Sequence, residues 1–140
     1  MKRFKYRLEK VLEYRKLLKD EKVRELLIRN RKLAEDQERL KSLEAAALLN
    51  RMEDQVVLSA AEVDLLGRYG ARLHAEIEEQ QQTVRESERA VAAAVEEYVA
   101  AAKDEKCLAL HKDRKQAEYK EYAQREEEKG VDEINTQRSK

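Results

Sequence analysis

The side chains of this chain that could do chemistry are few and scattered. His74, His111 and Cys107 are its metal-ligand and nucleophile types. A zinc site needs several such ligands converging at short spacings, and a reactive thiol needs a base beside it. Neither pattern occurs, so no metal is expected, and Cys107 reads as a structural thiol. Carboxylates recur in pairs, as at Glu78–Glu79 and Glu126–Glu128. General acid–base work would need a cleft to shift one of their pKa values, which a helix surface does not offer. The three glycines, Gly67, Gly70 and Gly130, make no phosphate loop. The chain therefore reads as a non-enzyme without cofactors, whose work is contact.

The elements that must present those contacts are helices. Average usage would give about seven prolines in such a length, and the chain has none. Proline costs about 3 kcal/mol inside a helix. The composition, 43% charged and 5% aromatic, fits a coiled coil better than a compact globule, since charged residues are rarely buried fully. A lone cysteine excludes an internal disulfide and points to a reducing compartment. The opening MKRFKYRLEK has no apolar stretch of a secretory signal, and no run approaches the ~20 apolar residues of a membrane span. The expectation is a soluble, cytoplasmic chain without membrane insertion.

Phe4, Leu8, Val11, Leu18, Lys22, Leu26, Leu33, Leu40 and Ala47 form one stripe of a first helix. The step of eight between Leu18 and Leu26 reads as a local stutter. Lys22 fits the stripe if its stem covers apolar surface while its ammonium reaches water. The second helix carries two seams. One is Leu73, Gln80, Ser87, Ala94, Ala101 and Leu108; the other is Ile77, Val84, Val91, Tyr98, Glu105, Lys112 and Tyr119.

Between the runs, Ser59-Ala60-Ala61-Glu62 reads as a capping box that starts the second helix. Gly67 and Gly70 are the rival break, but the spacing of Leu66, Leu73 and Ile77 runs through them. Residues 1–32 hold thirteen Lys/Arg and five Asp/Glu, whereas residues 56–102 hold four and nine. These segments attract if the chain folds back. The expected fold is all-α: an antiparallel two-helix coiled-coil hairpin with a longer second helix, forming a single domain over 1–140. Helix one is expected at about 3–55, the turn at about 56–59 and helix two at about 60–136, with residue i beside roughly 116 − i. Gln116–Lys140 then overhangs.

The acids Glu9, Glu13, Asp20, Glu21 and Glu25 interrupt the basic start, so nucleic acid is not expected as a partner. Partner-binding candidates are the apolar residues that a single seam cannot bury. At the start these are Phe4, Tyr6, Leu8, Val11, Leu12 and Tyr14; near the turn they are Leu65, Leu66, Tyr69 and Leu73.

The opening Phe4-Lys5-Tyr6-Arg7-Leu8-Glu9-Lys10-Val11-Leu12-Glu13-Tyr14-Arg15 resembles the start of FliJ proteins of the bacterial flagellar export apparatus. The stretch Ala60–Ile77 and the ending Arg125 to Ile134 are similar to that family's post-turn and C-terminal segments; Gly130 stands where a better helix former is expected. The resemblance implies a stalk and escort protein of the flagellar type III export apparatus, at the cytoplasmic face of the membrane. It implies contact with a FliI-like export ATPase hexamer through Phe4, Leu8, Val11, Leu12, Arg15, Glu126, Asp132 and Glu133. It implies contact with a FlhA-like export gate through Tyr69 and Leu73. A FliH-like regulator and export chaperones are further implied partners, and the chain alone is expected to be a monomer. The alternatives are a homodimeric scaffold coiled coil and the equivalent stalk of a virulence type III secretion system.

Overall fold

The computed structural model describes residues 2–53 and 58–140. They form two helices packed against each other, α1 (Glu9–Glu53) and α2 (Ala60–Arg138), and no strand among the described residues. The fold is an all-α antiparallel helical hairpin with the longer helix second. It divides into two compact units, Met1–Glu21 with Val99–Lys140, and Lys22–Tyr98.

Local chemistry sets the helix ends. Ser59 N–H donates to the Glu62 carboxylate at 2.9 Å, and Glu62 N–H donates to Ser59 Oγ at 3.3 Å. This reciprocal cap satisfies two backbone donors where α2 begins. Of the expected turn, residues 56–57 lie outside the described residues; Leu58 and Ser59 are non-helical. α2 runs unbroken through Gly67, Gly70 and Gly130.

α1 begins at Glu9, later than the expected residue 3. Lys2, Arg3, Lys5 and Arg7 would oppose the positive end of the helix dipole, and Glu9 is the first acid that complements it. Residues 2–6 instead run non-helically.

In the unit Lys22–Tyr98, Asn50 Nδ2 donates to Leu66 O at 3.4 Å, and Gln80 Nε2 donates to Asp36 O at 2.9 Å. Both contacts sit at the expected register of i beside 116 − i. Among its described residues, Leu73, Gln80, Val84, Ser87 and Ala94 are buried. Lys22 is half-buried, its ammonium 3.0 Å from Glu97. The Glu97 hydrogen bond holds that ammonium above its usual pKa range, partial burial opposes the rise, and the charges of Glu25 and Glu97 add to it.

In the unit of the two termini, Leu12 and Ala101 are buried. Arg15 pairs with Asp104 at 3.2 Å, Lys19 with Glu105 at 3.6 Å, and Glu9 with Lys112 at 2.8 Å. Arg15 and Lys19 of α1 thus meet acids of α2, while Glu9 meets a lysine. Beyond the last contacts with the N-terminal segment, α2 is mostly exposed. Pairs such as Lys115–Glu118 at 2.8 Å and Lys129–Glu126 at 3.1 Å support it along its own surface.

Burial along α1 corrects the expected stripe at one position, Val11, whose place Leu12 takes. Leu8, Leu18, Lys22, Leu26, Leu33, Leu40 and Ala47 of that stripe are half-buried, and so are Arg15, Lys19, Asp36, Leu43 and Asn50 beside it. Leu18, Lys22 and Leu26, across which the stutter is read, are all half-buried. Leu12 is 2% exposed and Val11 42%. The seam follows Lys19, whose stem lies along it while its ammonium reaches Glu105.

Candidate functional site

The non-helical start makes a surface that a helix could not. Phe4 lies against Tyr119, ring centroids 5.5 Å apart and planes tilted by 44°. Tyr6 Oη is 2.6 Å from His111 Nδ1 and donates to Leu108 O at 3.4 Å. Tyr119 Oη donates to the Lys2 carbonyl. Two aromatic side chains that a helix would turn to different faces are thereby laid along one flank of α2. The groove beside them has a volume of about 860 Å³.

Its walls combine Phe4, Tyr119 and Tyr122 with cations from Lys2 to Arg7 and with Lys115. The acid among its lining residues, Glu118, hydrogen bonds Lys115, whose ammonium holds the carboxyl below its usual range. An apolar floor with cationic edges suits a protein surface that offers an apolar side chain and carboxylates.

The residues assigned to ATPase contact all fall in this unit, but not all reach its surface. Phe4 and Leu8 are half-buried; Val11, Glu126, Asp132 and Glu133 are exposed. Arg15 is engaged with Asp104, and Glu126 with Lys129. Leu12 is closed inside the helix pair, so its side chain has no surface to offer. Sequence reasoning missed the part of Tyr119, Tyr122 and His111. Their aromatic character was the available signal, since the helix there has little apolar stripe of its own.

The second candidate surface lies in the other unit. Tyr69 is 47% exposed, whereas Leu73 is 4% exposed and belongs to the seam. Leu73 sits on the same heptad series as Gln80 and Ser87, and that series faces α1. Leu65, four residues before Tyr69 on α2, is exposed too, as are Val63 and, on α1, Leu48, Leu49 and Met52. The α1 members went unnoticed in the sequence because they flank Asn50, a polar seam residue that masks the pattern.

Here the helices approach closely. A Cβ on Gly70 would lie 2.8 Å from Asn50 Nδ2. The missing side chain leaves room for Asn50 to reach Leu66 O, while Asn50 Oδ1 is buried without a hydrogen-bond donor among the described residues.

Among the described residues, no group of three His, Cys, Asp or Glu side chains is placed to hold a metal ion. No helix among them is long and apolar enough to cross a membrane. The chain matches the family model described as "Flagellar FliJ protein" over residues 4–140. No curated protein and no solved structure matches it.

Proposed function

Because this chain belongs to the FliJ family, a family of flagellar protein-export components rather than enzymes, we propose that it is a stalk and escort of the export apparatus. In this reading the single hairpin of residues 1–140 works as a cytoplasmic monomer at the membrane face of the flagellar base. The surface built from both chain termini enters the ring of a FliI-like ATPase and promotes its assembly and activity. The surface around Tyr69 meets a FlhA-like gate. A FliH-like regulator and export chaperones complete the set of partners.

The observation that carries the reading is the family match over residues 4–140. The separation of the two surfaces adds support. Phe4, Leu8, Val11 and the C-terminal acids belong to one compact unit, and Tyr69 belongs to the other. Leu12 and Leu73 act as core residues beneath these surfaces, and Arg15 as a half-buried tie to Asp104 at their edge. A stalk that touches unlike ring subunits unequally biases their conformations, since only differential contact shifts an equilibrium.

The test is stimulation and capture of the ATPase by the full chain. Phe4→Ala with Leu8→Ala is expected to weaken stimulation about tenfold, or ~1.4 kcal/mol of contact, with helical circular dichroism intact. Unchanged stimulation by the folded variant removes the terminal surface from the reading. Tyr69→Ala is expected to reduce capture of the gate while stimulation persists; equal loss of both argues against separate surfaces. Light scattering should give a 16.4 kDa monomer, and a concentration-dependent dimer would favour a scaffold.

A further inference from the structure

Residues 2–8 carry two patterns at once. Phe4, Leu8 and Leu12 stand four apart, the spacing of one helix face. Phe4, Tyr6 and Leu8 stand two apart, the spacing of one face of an extended chain. The second pattern is the one in use: Phe4, Tyr6 and Leu8 are half-buried, while Lys2, Arg3, Lys5 and Arg7 are exposed. The helical pattern stays within reach. The segment has neither glycine nor proline, and Glu9 N–H already donates to Tyr6 O at 3.3 Å, a turn that leads into α1.

The balance between the two forms is set by named groups. Extending a helix that is already nucleated gains one backbone hydrogen bond per residue. Against that gain stand the contacts of the extended form. Tyr6 Oη lies 2.6 Å from His111 Nδ1, Phe4 lies against Tyr119, and Tyr119 Oη holds the Lys2 carbonyl. Charge adds to them. Glu9 and Glu118, the acids among the residues lining the grooves beside the segment, are held by Lys112 and Lys115. The four cations of the segment would therefore crowd the positive end of a longer α1 without an acid to answer them. In that longer helix Tyr6 would also stand about 200° round the axis from Leu8, which turns it away from α2 and breaks its contact with His111.

We infer that residues 2–8 are a charge-controlled latch: docked, they lie extended along α2 and build the aromatic groove; released by carboxylates of a docking protein, they lengthen α1 by about two turns and turn Tyr6 away from His111. The carboxylates act because an anion gains from the helix dipole only in the longer helix, and only such a difference shifts an equilibrium. The latch regulates the terminal contact surface proposed above and rests on that reading for its use.

The experiment is NMR of the full chain alone. In the wild type, the Cα shifts of residues 3–7 should be those of extended chain, with a nuclear Overhauser contact between Tyr6 and His111. Arg3→Glu with Lys5→Glu places acids at the positive end of the dipole. The same shifts should become helical, and the Tyr6–His111 contact should vanish. Tyr6→Phe removes only the hydroxyl and should raise the ratio of helical to extended forms about fivefold. Hexaglutamate added to the wild type should move the shifts toward helix, and hexalysine should not. Unmoved shifts in the acidic variant overturn the latch, and so does loss of the Tyr6–His111 contact without helical shifts. Hexaglutamate that binds and leaves that contact intact overturns it too. Circular dichroism checks folding; if the acidic variant unfolds, Tyr6→Phe and the hexaglutamate titration decide. A latch that switches while ATPase stimulation is absent would remove the contact reading and leave the latch standing.

Discussion

Ser87 Oγ donates a hydrogen bond to the Asp36 carboxylate at 2.5 Å, across the seam of the helix pair. Ser87 is buried, and so is Gln80, which holds the backbone carbonyl of the same aspartate. One residue of α1 is thus gripped twice by α2. Hydrogen bonds to a charged partner are worth about 1.5–3 kcal/mol. Ser87→Ala should therefore cost about 2 kcal/mol, read from the urea midpoint. Asp36→Leu combined with Ser87→Ala should recover most of that loss, because an apolar pair of similar volume replaces a half-buried charge. A double variant as weak as the single one would show that the bond is not the cause.

Leu12 and Val11 are adjacent and face opposite fates. Leu12→Ala should destabilise the chain by about 2–5 kcal/mol, as buried leucine truncations do. Val11→Ala should change stability by less than about 0.5 kcal/mol. Thermal or urea unfolding of the two variants separates them directly, and equal losses would place the seam elsewhere.

Asn50 and Gly70 form a tight notch. Gly70→Ala alone brings its new methyl against Asn50 Nδ2 and forfeits part of the gain of up to about 1 kcal/mol that alanine gives in a helix. With Asn50→Ala in place, the obstruction and the unpartnered buried Oδ1 both disappear. The double variant should then be more stable than the sum of its singles by about 0.5–1 kcal/mol. Strict additivity in that cycle would mean that the two residues do not touch.

The Lys22 ammonium is held above its usual 10.5 chiefly by its hydrogen bond to Glu97. A raised folded-state pKa stabilises the fold below the unfolded value, and the effect is lost as pH rises through the folded one. The Lys22 contribution therefore persists at neutral pH and disappears above 10.5. Glu97→Gln should lower the Lys22 midpoint in an NMR titration, and an unmoved midpoint would assign the shift to another cause.

Much of this arrangement was legible in the sequence. Ser59 and Glu62 announce their cap because both halves of a capping box lie within four residues. The series Leu73, Gln80, Ser87, Ala94 and Ala101 could be read at steps of seven despite its polar members, and all five are buried. The first helix was harder. Counting apolar side chains favoured Val11, whereas Leu12 is the buried one; Lys19 is half-buried beside Leu18, and a lysine stem gives no apolar signal. The non-helical start was hidden too, since residues 2–8 contain neither glycine nor proline. Only the crowding of cations at a helix N-terminus argues for it. Of the candidate contact residues, Leu12 and Leu73 illustrate a general ambiguity: periodicity identifies an apolar residue on a helix without saying whether its neighbour or a partner covers it.

The α1 series Arg15, Lys22, Asp36, Leu43 and Asn50, half-buried along the helix, is polar at four of five places. Its consequence is a kind of grammar for pairing. Two copies of α1 laid side by side in parallel would set arginine on arginine, lysine on lysine and aspartate on aspartate at successive layers. Two copies of α2 would leave Gln80 and Ser87 without the aspartate that answers them. Only the unlike pair reads as a sentence, so the helix that follows Ser59 is the complement that the one before it requires.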